Sequence, residues 1–415
     1  MTGPRQSIRL LLLTALAIGA SRPAAAVPEP KRGPEPRLAR LIAVDLKTGE
    51  AKQLREVKEQ AISLLAAGNG VICVREGWRQ GFGTRTIRGL KADTGDVLWS
   101  RDSGEYTYGA GWLRHEYLAY YTMTDRLQFP VGQAIRDGVA VVVIPRDDRF
   151  HGEYVAGVDA RTGEVRWKLG PSANKTQDLL PIWVALHVNG NLVAAADSTR
   201  SWGLERTTGK VLWETTPATG FVSDDDTLIG WKSEAELWRA SRRTGKIEET
   251  LPLRRYSEPV GLWDGKLVLR EYTGDTLVAR DKERLGRTVW ERKLERRGTP
   301  QDSNVVLHEG TAYWRLDHQA ELPFCLSLTD GSVKYLAERW PGPPEGYANL
   351  PVGVHGDKLY AASDYGVLAI DLKTKERKWA WTVKDLAKDH DTSVSMATLS
   401  GDVLYVAAIE WSRRR

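Results

Sequence analysis

The sequence predicts an all-β protein, an eight-bladed β-propeller of four-stranded antiparallel blades, closed by pairing N- and C-terminal strands in one blade. Three observations lead there. A turn signature returns eight times, a second and more apolar hairpin alternates with it, and each end of the chain carries half of such a unit. Repeats of about forty residues built from strand-like segments are the mark of propeller blades.

Before the first repeat, Arg5 and Arg9 precede the apolar run Leu10 to Ala20, and Ala24-Ala25-Ala26 follows. That order of charge, apolar run and small residues reads as a signal peptide over 1–26; the run is too short to span a bilayer. Pro28, Pro30, Pro34 and Pro36 make 27–37 a Pro-rich linker that supports neither helix nor central strand. Residues 38–415 then form a single domain, because repeat architectures lengthen by adding units. The formal charge of +5 includes Arg5, Arg9 and Arg22, so the mature chain is nearly balanced. That balance calls for no nucleic-acid partner. No second long apolar segment occurs, so no transmembrane segment is expected, and the chain reads as a monomer that is periplasmic or secreted.

The turn signature is clearest in Asp159-Ala160-Arg161-Thr162-Gly163. Asp and Thr side chains bond their own turn backbone, and Gly supplies a positive φ. Beyond the turn, Val165, Trp167 and Leu169 point one way and Glu164, Arg166 and Lys168 the other, the period of a half-buried strand. The returns place turn positions at 49, 95, 163, 209, 245, 286, 331 and 375. Gly95, Gly163, Gly209 and Gly245 are therefore structural turn residues. Trp99, Trp167, Trp213, Trp290, Tyr335 and Trp379 are the aromatics expected to dock one blade on the next. Gln53 and Glu249 stand at the aromatic position in the first and fifth repeats, and Lys375 at the turn Gly of the eighth. Those junctions are expected to dock less tightly.

The alternating hairpins centre on 68–70, 137–138, 189–190, 224–226, 264–265, 309–310, 356–357 and 401–402. Flanks such as Val139 to Ile144 are continuous apolar runs, as in strands covered on both faces. The chain starts with a lone signature hairpin and ends with a lone apolar one, Ser393 to Trp411. Pairing the two completes a blade and leaves no open sheet edge. The one long interval, between 95 and 163, predicts an extra hairpin or insertion at about 105–130. Cys73 and Cys325 fall in non-neighbouring repeats and read as free thiols, since a bridge needs Cα atoms within about 7 Å.

The patterns Ala43-x-Asp45-x-x-Thr48-Gly49 and Gly157-x-Asp159-x-x-x-Gly163-x-x-x-Trp167 resemble the tryptophan-docking repeat of the pyrroloquinoline-quinone-like β-propellers, whose members include quinoprotein alcohol dehydrogenases and BamB-type assembly proteins. The resemblance spans most of 38–411 and implies the fold. The dehydrogenases carry adjacent cysteines near the quinone and a Glu/Asn/Asp calcium set. No stretch here matches either, so no catalytic residue is carried over.

Candidate chemistry gathers in the loops between second and third strands. Trp78, Arg79 and Arg85 lie in one, Arg149 in the next, and Arg200 with Trp202 in a third. If they converge on the central funnel they form an anion-receptive mouth suited to a quinone, because guanidinium forks fit carboxylates and ring faces stack on planar ligands. Left apart they are solvated loop charges. Trp340 and Tyr347, in a Pro/Gly-rich loop, are candidate partner anchors. His187, His308 and His355 recur near the ends of inner strands and read as turn-capping groups, and Asp224-Asp225-Asp226 as a hairpin tip. No nucleophile elbow, zinc-protease helix motif or phosphate loop occurs. The leading expectation is an exported, non-enzymatic protein-interaction scaffold, as in cell-envelope assembly, with no resident cofactor or metal. The alternatives are a PQQ-dependent oxidoreductase or sensor, with PQQ and calcium in the funnel, and a glycan-binding propeller.

Overall fold

A computed structural model describes residues 36–58, 60–77, 86–102, 135–145, 153–170, 183–197, 199–232, 236–253, 257–271, 276–293, 306–315, 323–335, 350–363, 365–383 and 392–411. The described residues form an all-β architecture of antiparallel sheets, seven with four strands and one with three. Seven sheets follow chain order, over 61–102, 139–169, 183–215, 220–252, 257–293, 306–335 and 350–382. The remaining one, called the first here, mixes the two ends: its order is Ala51–Lys58, Pro36–Asp45, Val403–Trp411, Thr392–Ser400. Ala43 sits across from Tyr405 in that pairing. The three-stranded third sheet is preceded by a bridge between Arg136 and Val139. The expected insertion at 105–130 lies outside the described residues, as do the signal peptide and most of the linker.

Sequence pattern and burial agree strand by strand. The middle strands Leu192–Asp197 and Gly366–Asp371 are buried at every position. They are covered on both faces, which is why they read as apolar runs. The outer strand Val211–Thr215 buries only its central residue, Trp213. The core is therefore layered between sheets. Val141, Val155 and Trp167 of the third sheet meet Leu186, Val193 and Trp202 of the fourth. Tyr360 and Trp381 of the eighth meet Ile42, Val44 and Val406 of the first.

The turns are built by short-range bonds. Asp159 Oδ1 accepts the N–H groups of Arg161 and Thr162 at 2.9 Å each, and Gly163 takes φ 74°. Asp45 and Asp371 bind their turns the same way. Lys375 adopts φ 62°, a left-handed conformation costing a side-chain-bearing residue on the order of 1 kcal/mol. The sixth repeat departs from expectation. Asp281 pairs with Arg284, so Lys282 and Glu283 make a two-residue hairpin and Gly286 lies inside strand Arg284–Lys293. Spacing alone misplaced that turn, because a tighter hairpin lets the strand begin earlier.

Each signature turn is tied to the apolar hairpin of its own sheet. The residue after the turn's leading position donates its N–H to that hairpin's tip: Leu46 to Asp402 O, Ala92 to Gly70 O, Ala160 to Gly138 O and Arg242 to Asp226 O, at 2.8 to 3.0 Å. Both sets of turns thus share one face, and the second-to-third connections leave from the other. Cys73 and Cys325, in the second and seventh sheets, form no disulfide. No helix among the described residues is long and apolar enough to cross a membrane.

Candidate functional site

The seams between sheets are the most regular chemistry on the molecule. Trp99 leaves the second sheet and donates its indole N–H to Ala160 O of the third at 2.8 Å. Trp167 does so to Arg206 O at 2.7 Å, Trp213 to Arg242 O at 2.9 Å, Trp290 to Leu328 O at 3.1 Å and Trp379 to Leu46 O at 3.0 Å. Each acceptor follows the leading position of the next turn.

Two small residues make room for each ring. Gly89 is paired with Trp99 across the strands, and a Cβ there would fall 2.1 Å from the indole nitrogen. A Cβ on Gly163 would fall 2.5 Å from the same ring's other side. The indole is thus sandwiched between one glycine of its own sheet and one of the next. Gly157 with Gly209 around Trp167, and Gly203 with Gly245 around Trp213, repeat the arrangement. The signature's small residue two places before the Asp is the sequence trace of this sandwich.

At the fifth seam, where the aromatic is missing, another side chain takes its place. Glu249 Oε2 accepts the Leu285 N–H at 3.1 Å, so a carboxylate reaches the next sheet in place of an indole. Its strand partner is Arg239 in place of glycine, and Arg239 also pairs with Glu283 at 2.6 Å. The two changes belong together: the guanidinium occupies room that the ring would take and neutralises the carboxylates beside it. At the first seam the register differs from the offset read in the sequence. The bulge of the outer strand falls between Leu41 and Ile42 on the partner side, so Lys52 and not Gln53 faces Ala43. Lys52 Nζ donates to Asp93 O at 2.8 Å. For the seventh seam, Tyr335 ends strand Val333–Tyr335, paired with Phe324.

The loop residues expected to form an anion mouth, Trp78, Arg79, Arg85 and Arg149, lie outside the described residues, as do Trp340 and Tyr347. What the structure describes is the base of the 78–85 loop. There the Glu76 carboxylate, 2 % exposed, is held by Arg88 Nε at 2.6 Å and by the Arg55 guanidinium from the first sheet. A buried carboxylate between two guanidiniums is costly to break, because removing either leaves charge under-compensated. Arg200 and Trp202 are apart in their surroundings. Trp202 is buried between third and fourth sheets, and Arg200 pairs with Glu214 of the outer strand at 2.7 Å.

The three histidines also do separate work. His187 Nε2 meets Ser223 Oγ at 2.9 Å and His355 Nε2 meets Asp402 Oδ1 at 3.0 Å, while His308 lies 3.7 Å from Glu309. Burial, with the Arg242 charge nearby, pushes His187 down to about 4 and keeps it neutral. Asp224 Oδ1 accepts the Asp226 and Thr227 N–H groups, closing the acidic tip as a turn. Among the described residues no three His, Cys, Asp or Glu side chains gather into a set able to hold a metal ion.

Among solved structures the chain is similar to BamB from Moraxella catarrhalis, at 15 % identity over 84 % of this chain and 96 % of that one, TM-score 0.48. It is also similar to the computationally designed Ika8 protein, at 13 % identity over 92 % and 100 %, TM-score 0.52. A third similarity is to the quinohemoprotein alcohol dehydrogenase ADHIIG from Pseudomonas putida HK5, at 11 % identity over 85 % and 77 %, TM-score 0.46. No curated protein matches the sequence. The family described as outer membrane protein assembly factor BamB matches residues 151–410. With that match over more than half of its length and the indole seams set out above, the chain belongs to the BamB-type family of pyrroloquinoline-quinone-like β-propellers.

Proposed function

We propose that the protein is an exported, non-enzymatic scaffold that holds protein partners during cell-envelope assembly, acting as a closed ring of eight blades. The observation that carries the role is the match of 151–410 to the outer membrane assembly factor family. The closed ring is supported by the shared first sheet and by Trp379 docking on Leu46 of that sheet. Indole seams join sheets rigidly, and a rigid ring holds the loops of several blades in fixed relation, which lowers the ordering cost of binding a partner. In this reading residues 1–26 direct export, and Trp340 and Tyr347 anchor the partner.

The test is cross-linking of the purified mature chain, residues 27–415, to envelope extracts, comparing the intact chain with Trp340→Ala and Tyr347→Ala. Discrete adducts that both variants weaken support the reading. Adducts indifferent to both changes remove these anchors, and an absence of adducts removes the scaffold role. Titration with pyrroloquinoline quinone, with and without calcium, checks the competing oxidoreductase reading. No saturable change is expected. Binding near one per chain that Arg79→Ala or Arg149→Ala abolishes would replace the scaffold by a quinoprotein.

A further inference from the structure

We propose that the first seam carries an indole-sized docking slot, filled by a tryptophan side chain from a partner protein. The first and second sheets meet without the ring that joins the neighbouring seams, and a cavity of about 330 Å³ opens there. Ala43, Ala51, Ala92 and Val403 line it, with Asp45, Glu50, Lys52 and Asp93 around them. Ala43 holds the place that Gly89, Gly157 and Gly203 hold beneath their indoles. Ala92 holds the place of Ala160, Arg206 and Arg242, whose carbonyls accept the indole N–H. Gly95 is already covered, since a Cβ there would meet Leu54 O at 2.2 Å. The vacant part is thus the Ala43–Ala92 side.

The eighth seam shows what the filled arrangement looks like. Leu46 O accepts from Trp379 Nε1 at 3.0 Å and from the Tyr360 hydroxyl at 3.2 Å. At the first seam Tyr405 occupies the matching strand position, across from Ala43 as Tyr360 is across from Ala369. Its hydroxyl reaches the equivalent carbonyl, Ala92 O, at 3.5 Å. A carbonyl oxygen accepts two hydrogen bonds, so Ala92 O has room for the donor that Leu46 O receives from an indole.

Charge selects among aromatic partners. Asp45, Glu50 and Asp93 outnumber Lys52 around the slot. The Asp45 carboxyl is held below its usual range by the Thr48 backbone and hydroxyl bonds, which keeps it charged. The fitting ligand is therefore a tryptophan flanked by basic residues. Lys52 Nζ donates to Asp93 O, so a ring entering beside it displaces at most one exposed hydrogen bond of a flexible side chain. The slot rests on the scaffold reading only in taking a protein as the source of the ring; a small indole probe tests it separately.

The experiment titrates the mature chain with N-acetyl-tryptophanamide and with the peptide acetyl-Lys-Trp-Lys-amide, followed by NMR shifts of the Ala43 and Ala92 amides. Saturable shifts at both amides are expected, several-fold tighter for the basic peptide and weakened by salt. Lys52→Trp should fill the slot from within, abolish those shifts and raise the melting temperature. Ala43→Leu, which blocks the floor without placing a ring, should abolish binding as well and serves if Lys52→Trp does not fold. Absence of saturable shifts at millimolar probe, or binding unchanged in a folded blocked variant, overturns the proposal. Probe binding without any envelope partner would leave the slot standing and the scaffold role refuted.

Discussion

Trp379→Ala should cost about 3 kcal/mol of unfolding free energy, and Trp379→Phe about 1. The ring is part-buried, packing against the core that joins eighth and first sheets and lying 5.9 Å from the Tyr360 ring. A fully buried tryptophan cut to alanine loses roughly 3–5 kcal/mol, and partial burial sets the lower end. The indole N–H to Leu46 O adds about 1 kcal/mol, the net worth of one hydrogen bond. Losing it does not orphan the carbonyl, because Tyr360 still donates to Leu46 O. Phe therefore keeps most of the contact and forfeits only the bond. Urea unfolding followed by far-UV circular dichroism measures both, with the slope on denaturant checked for constancy. A loss below about 1 kcal/mol for the alanine variant would refute the argument that this seam fastens the two ends. A Phe variant as unstable as the Ala one would refute the division between ring and bond.

Gly163→Ala should destabilise more than Gly356→Ala by thermal melting. Both glycines have positive φ, but only at Gly163 would the new Cβ strike an indole, whereas nothing lies within 4 Å at Gly356; equal shifts would show backbone strain alone to be at work. Glu249→Ala should cost on the order of 1–2 kcal/mol by leaving the Leu285 N–H unmet. The double change Arg239→Gly with Glu249→Trp should restore an indole seam, with melting at or above that of the unmodified chain. Acid should weaken the fold between about pH 4 and pH 2. Asp159 is lowered to about 2, first by Arg166 and then by the Thr162 N–H, and Asp371 to about 2, first by the Thr374 N–H. A carboxyl with a depressed folded pKa stabilises above its unfolded pKa and loses that contribution as pH falls through the folded value. Asp159→Asn and Asp371→Asn should melt lower at pH 7 and show flatter curves below pH 4; parallel curves would exclude these two groups.

The fold was legible because its signals are local. Asp45 binding the Lys47 and Thr48 N–H groups needs nothing beyond four consecutive residues, so Asp-x-x-Thr-Gly announces its turn wherever it occurs. The half units at the two ends were equally plain, as counting sufficed to pair them. Contacts whose two halves lie in different repeats were not legible. In sequence Glu249 is only a missing tryptophan, since the Leu285 N–H that its carboxylate accepts lies in the next repeat, and the Arg239 beside it carries no signature in isolation. The displaced bulge that brings Lys52 opposite Ala43 changes no residue, only the pairing. Glu76 between Arg55 and Arg88 joins three strands into a buried ion cluster that no spacing within any one of them marks. The anion mouth depends on loops 78–85 and 146–152, where spacing specifies no geometry, and those lie outside the described residues.

The mixed composition of the first sheet sets a timetable. In synthesis the hairpin of Pro36–Asp45 and Ala51–Lys58 precedes Val403–Trp411, the strand that covers the flank of Pro36–Asp45. Residue 45 must wait for residue 403. Pairing across such a span is slow, and an unsatisfied strand flank invites the wrong neighbour meanwhile. Val403–Trp411 is thus the clasp for Pro36–Asp45, and a chain without it would keep its middle repeats and leave one strand flank open to the wrong partner.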